Sequence, residues 1–147
     1  MDEQGGVFGP AEFGELRDIL VSDTDLRDWQ RVVDYVRTLP RAGSFTLDAA
    51  PAVLPESASD IFALREQAVT SLRIDVAGVL VVAHFFDPSE IELDFDPRDV
   101  KTDAQRAALL AFIRSLADLL DKPVVVAPEG SHDEVLLRVE PVSQVVA

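Results

Sequence analysis

The chain has 147 residues, no cysteine, and 27 acidic against 13 basic side chains, a formal net charge of −14 at pH 7. That length suits one domain, and 48% hydrophobic residues supply a core that needs neither a metal nor a covalent staple. The lack of cysteine excludes disulfides, thiolate metal sites and a cysteine nucleophile, while the acidic balance argues against sequence-independent nucleic-acid binding, which depends on cationic groups at phosphates.

The opening residues Met1 to Gly6 lack the positive and apolar regions of a secretory signal, so the expected address is the cytoplasm. The most apolar stretch, Val76 to Phe86, is broken by Gly78 and His84 and spans about half the ~20 residues of a transmembrane helix. No membrane partner is expected.

In chain order, Pro10 suits a first helical position, and Phe13, Leu16 and Leu20 then share a helical face. A second helix is capped by Ser22, Asp23 or Thr24, carries Leu26, Trp29, Val33 and Val36 inward, and stops before Pro40. Its other face bears Arg27, Asp28, Arg31, Asp34 and Arg37, a solvated mixture of charges. A strand over Ser44 to Asp48 precedes an irregular crossover, Ala49 to Ser57, whose two prolines cannot donate to a ladder. Ser57 or Ser59 then caps a helix from about Asp60 to Ala68, with Ile61, Leu64 and Ala68 inward.

The period next changes from 3.6 to 2. Leu72, Ile74 and Val76 alternate with Arg73 and Asp75 in a half-buried strand, and Ala77-Gly78 turns the chain. Val79 to Phe86 follows as a strand apolar on both faces, hence central in its sheet. Asp87-Pro88-Ser89-Glu90 has turn chemistry, and Ile91 to Phe95 returns antiparallel. Thr102 and Gln105 form a capping box ahead of a long stripe from Ala108 to Leu120, ended by Pro123. Val124 to Ala127 and Glu134 to Glu140 are the last strands. The order αα-β-α-βββ-α-ββ describes one α+β domain over residues 1–147. It has two layers, with a mostly antiparallel sheet of five to six strands and helices packed mainly on one face.

Glu90, Glu92, Asp94 and Asp96 share one strand parity, with Asp99 in the exit loop, and Ile91, Leu93 and Phe95 share the other. Such a row suits either an edge strand kept soluble by charge or an acidic face for a basic partner; a flat strand diverges its carboxylates too far for a metal site. Pairing Phe86 with Ile91 puts His84 opposite Leu93 on the apolar face; a one-residue bulge would instead set it beside Glu92 or Asp94. A weaker candidate group is His84 with Glu129 and His132. In the loop Pro128 to Asp133 a Gly turn explains the composition better than a Ser131 triad, because Ser131 and His132 are sequence neighbours whose side chains diverge. Trp29 belongs to the core stripe.

No dinucleotide, P-loop, zinc-protease or EF-hand motif occurs, and no cofactor is implied. Two histidines leave little acid–base chemistry near neutral pH. The expectation is therefore a small acidic bacterial domain, non-enzymatic, that binds a basic protein in the way of an immunity protein or nucleic-acid mimic. The alternative is a carboxylate- and histidine-dependent enzyme or divalent-metal binder centred on His84, Glu92 and Asp94. Either is compatible with a monomer or a homodimer formed through the sheet or the Leu109-to-Leu120 helix. Residues 1–30 hold eight acids against two bases and residues 87–103 seven against two, so these two regions carry most of the charge.

Overall fold

In the computed structural model, which describes residues 15–40, 43–131 and 133–142, the chain runs β1 (Arg17–Ser22), α1 (Leu26–Thr38), β2 (Ser44–Leu47), β3 (Ala50–Ala52), α2 (Ala58–Arg65), β4 (Thr70–Val76), β5 (Val79–Asp87), β6 (Glu90–Phe95), a 3-10 turn (Pro97–Asp99), α3 (Asp103–Leu120), β7 (Val124–Pro128) and β8 (Leu137–Val139). The eight strands form one sheet in the order β3-β2-β4-β5-β6-β1-β7-β8, and every neighbouring pair is antiparallel. The α+β class and the helix-covered sheet agree with the sequence reading. The sheet has two strands more than expected.

The first additional strand replaces a helix. Of the helix expected through Pro10, Phe13, Leu16 and Leu20, the first two residues lie outside the described ones, and Arg17 to Ser22 is β1. β1 is inserted between β6 and β7, and Ile19, Leu20 and Val21 are all buried, so both of its faces are covered. A strand covered on both faces lacks the alternation that marks a strand in sequence.

The second additional strand is β3, within the expected crossover. Asp48 and Ala49 both have positive φ (49° and 67°) and make a two-residue hairpin turn that folds β3 back on β2. Pro51 sits in mid-strand opposite Thr46, which an outermost strand tolerates. The rest of the crossover is held to α1: Gln30 Nε2 donates to the Glu56 carbonyl (2.8 Å), and Ala58 N–H donates to Gln30 Oε1 (2.7 Å).

Helix boundaries follow their caps. In α1 the cap is Asp25, one residue beyond the expected group, and Asp28 closes a capping box by accepting from the Asp25 N–H at 3.2 Å. Asp28 is therefore buried rather than part of a solvated face, and it also pairs with Arg31 at 3.0 Å. Ser57 caps α2, which stops at Arg65, so Ala68 falls beyond it. Thr102 and Gln105 form the expected box on α3, and Asp121 ends that helix in a left-handed conformation two residues before Pro123.

All three described helices share one core with one face of the sheet. Trp29 from α1 lies against Phe62 of α2 and Phe85 of β5, with ring centroids 5.6 and 4.6 Å apart, and its Nε1 donates to the Asp87 carbonyl (3.2 Å). From α3, Leu109, Ile113 and Leu116 are fully buried in the same cluster as Ile74, Leu93 and Val126 of the strands. No described helix is long and apolar enough to cross a membrane.

Candidate functional site

The second face of the sheet carries the residues of interest, and a bulge decides which ones meet. From Val81↔Phe95 to His84↔Glu92 the pairing of β5 and β6 is regular, and at the turn Asp87 pairs with Glu90. Phe85 and Phe86 thus share the space opposite the single Ile91. The extra residue shifts the register, so His84 lies opposite Glu92 rather than Leu93, on the charged face rather than the apolar one.

β6 is also not an edge strand. It lies between β5 and β1, so its carboxylates run down the middle of the sheet. Glu90 is opposite Ser22, Glu92 is opposite Leu20, and Asp94 is opposite Asp18, each partner belonging to β1. Directly opposed residues in an antiparallel pair are about 5 Å apart at Cα. Asp18 is a site residue that sequence reasoning missed, because it was hidden in the supposed first helix. It also accepts a hydrogen bond from the Gly130 N–H at 3.3 Å. Through Asp18, one acid of the N-terminal region lies beside the acidic strand.

His84 and Asp94 form the ordered centre of this face. His84 Nε2 is 2.8 Å from Asp94 Oδ2, with the two side chains 22% and 19% exposed. The bond to Asp94 raises the His84 pKa above its ordinary value; partial burial opposes this, and the charges of Asp94, Glu92 and Asp18 add to it. The Phe86 ring stacks on the imidazole at 5.1 Å and 3°, a placement that also favours the cationic form. A histidine so placed holds its proton more tightly than a free imidazole does.

The other candidates are separate. Asp96 caps the 3-10 turn and takes Arg98 in a fork, with Nε at 3.0 Å and Nη2 at 2.6 Å, which holds its carboxyl below the usual range. Asp99 is exposed beyond it. Glu129 accepts from the Leu16 N–H at 3.1 Å at the end of β1. It directly follows β7, which is three strand spacings from β5, about 14 Å, so Glu129 does not join His84. His132 lies outside the described residues. Gly130 has the expected positive φ (72°), and the Ser131 N–H donates to the Pro128 carbonyl at 3.0 Å as a turn requires.

Among the described residues no group of three or more His, Asp or Glu is arranged to hold a metal ion. Three clefts, of 440, 350 and 480 Å³, open elsewhere: between α1, α3 and the β4–β5 hairpin; at the C-terminal end of α2; and at the start of α1 beside the β5–β6 turn. None is lined by His84, Glu92 or Asp94. Comparison with family models, with curated proteins and with solved structures finds no match to this chain.

Proposed function

We propose that the protein is a non-enzymatic binding domain that holds a basic protein on the carboxylate face of its sheet. The observation that carries this reading is the row Glu90, Glu92 and Asp94, partly exposed on one face of the sheet and in its middle rather than at an edge. The core does not require them, since Ile91, Leu93 and Phe95 on the reverse side of β6 are already fully buried. A cationic surface docked on the row has complementary potential, which speeds encounter and selects against acidic competitors. The three clefts described are not lined by Glu90, Glu92 or Asp94, and a partly exposed row of this kind suits a protein surface.

The test is capture from a source-cell lysate on the immobilised protein at low and at high salt, with Glu90→Gln/Glu92→Gln as the probe variant and Glu66→Gln/Glu134→Gln as a control of equal charge. Support is a basic protein that salt releases and that only the probe variant fails to retain. Recovery of no basic protein, or equal retention by both variants, overturns the reading.

One observation favours a second reading, an acid–base enzyme or divalent-metal binder at His84: the 2.8 Å bond to Asp94, which orients the ring and leaves Nδ1 for another group. Its metal version predicts a rise in melting temperature with Mg²⁺, Mn²⁺ or Zn²⁺ that Asp94→Asn abolishes. No rise with any of the three removes that version.

A further inference from the structure

At the rim of the sheet, where α2 ends and the bulge of β5 begins, Arg65, Ala68, Val69, Thr70, Phe85 and Phe86 line a cleft of 350 Å³. Most of its lining is apolar. Phe86 and Val69 of this lining are 51% and 65% exposed, so they offer apolar surface to a ligand. Two polar features interrupt the apolar wall. One is Arg65, in the last turn of α2, the only cation of the lining. The other is Thr70, 4% exposed, whose Oγ1 is buried without a hydrogen-bond partner. A buried hydroxyl left unpaired is costly, and natural proteins rarely retain one unless something else completes it.

We propose that this cleft binds a small carboxylate with an apolar body. The Phe86 ring and Val69 take the apolar part, Arg65 takes the carboxylate, and the Thr70 hydroxyl gains its missing partner. The volume lies at the lower end of small-ligand sites. The overall −14 charge does not forbid an anion here, since at physiological ionic strength charges more than about 8 Å away are largely screened and the local guanidinium dominates. Asp87 feels the Arg65 charge, after the larger effect of its hydrogen bonds with Ser89, so it competes weakly for the same cation. This site is independent of the acidic row, although Phe86 is common to both: one ring walls the cleft and stacks on His84. Occupancy of the cleft is therefore readable at the imidazole.

The experiment is a nuclear magnetic resonance titration of the full chain at 0.15 M salt with sodium hexanoate and phenylacetate, against 1-hexanol and hexylamine. Ligands of this size warrant dissociation constants of about 1 mM. The expected result is saturable binding of at least one carboxylate, moving the resonances of Val69, Phe86 and His84, with the alcohol and the amine roughly tenfold weaker or worse. Arg65→Met should weaken carboxylate binding about tenfold and leave hexanol unchanged, Thr70→Val should weaken it severalfold, and Asp87→Asn should tighten it. The spectrum itself reports whether each variant is folded. Failure of both carboxylates to saturate, equal binding of hexanol, or indifference to both Arg65→Met and Asp87→Asn overturns the proposal.

Discussion

His84 and Asp94 sit on neighbouring strands, joined at 2.8 Å, because one surplus residue at Phe85–Phe86 turns the imidazole onto the charged side of the sheet. Without that bulge the ring would face the helices, in a core with no partner for either nitrogen.

The pair gives a pH signature. The folded-state pKa of His84 is raised above the ordinary value of 6.5, chiefly by Asp94, so folding favours the protonated ring. The resulting stabilisation is fully present below about pH 6.5 and is lost as pH rises through the higher folded value. Thermal or urea unfolding of wild type should therefore show stability falling as pH rises above about 6.5, relative to His84→Gln. Asp94→Asn should flatten the same segment and cost about 1.5–3 kcal/mol at pH 6, the range for a hydrogen bond to a charged group. Parallel pH profiles for wild type and His84→Gln would sink this account.

Trp29 ties the two layers together through Phe62, Phe85 and the Asp87 carbonyl, and it is completely buried. Trp29→Ala should cost about 3–5 kcal/mol, and Trp29→Phe less, since only the indole edge and its hydrogen bond are lost. Urea unfolding followed by circular dichroism gives both values, and a cost below about 1 kcal/mol for the alanine variant would contradict the packing described.

Ala49 holds φ at 67°, in a turn position that glycine or asparagine fills at lower cost. Ala49→Gly should raise stability by about 0.5–1 kcal/mol, because relief of the left-handed strain exceeds the added entropy of the unfolded chain. A fall in melting temperature would show that the strain is not there.

Thr70 offers a measurement of its own in the ligand-free protein. Replacing a buried, unpartnered hydroxyl with a methyl group removes a desolvation penalty, so Thr70→Val should stabilise by about 1 kcal/mol. Destabilisation would mean that the hydroxyl is already bonded.

Much of the helical layer is legible in the residues. The α3 stripe runs for five turns with its capping box, and Ser57 announces α2, so local chemistry and packing agree there. The candidate site was half legible. Glu90, Glu92, Asp94 and Asp96 declare their common face by parity, yet their setting depends on what lies beside β6. That neighbour, β1, reads as a helix because Leu16 and Leu20 continue the spacing of Phe13, and its buried residues do not alternate. The bulge was equally silent. Neither Phe85 nor Phe86 is a glycine or otherwise marks an inserted residue, so the register of His84 rests on tertiary packing of Phe85 against Trp29 and Phe62.

The placement of Pro51 has a consequence for how this sheet meets other chains. In a two-residue hairpin the pair next to the turn, Leu47↔Ala50, is hydrogen-bonded, and the pairs alternate from there. Ala50 and Ala52 therefore spend their N–H groups on β2, and the one nitrogen aimed outward belongs to proline. Along β3 the rim offers one carbonyl oxygen, that of Pro51, and not a single donor. An extended segment from another molecule, including a second copy of this one, cannot be templated onto that border in register, so the rim is a dead end for fibril growth.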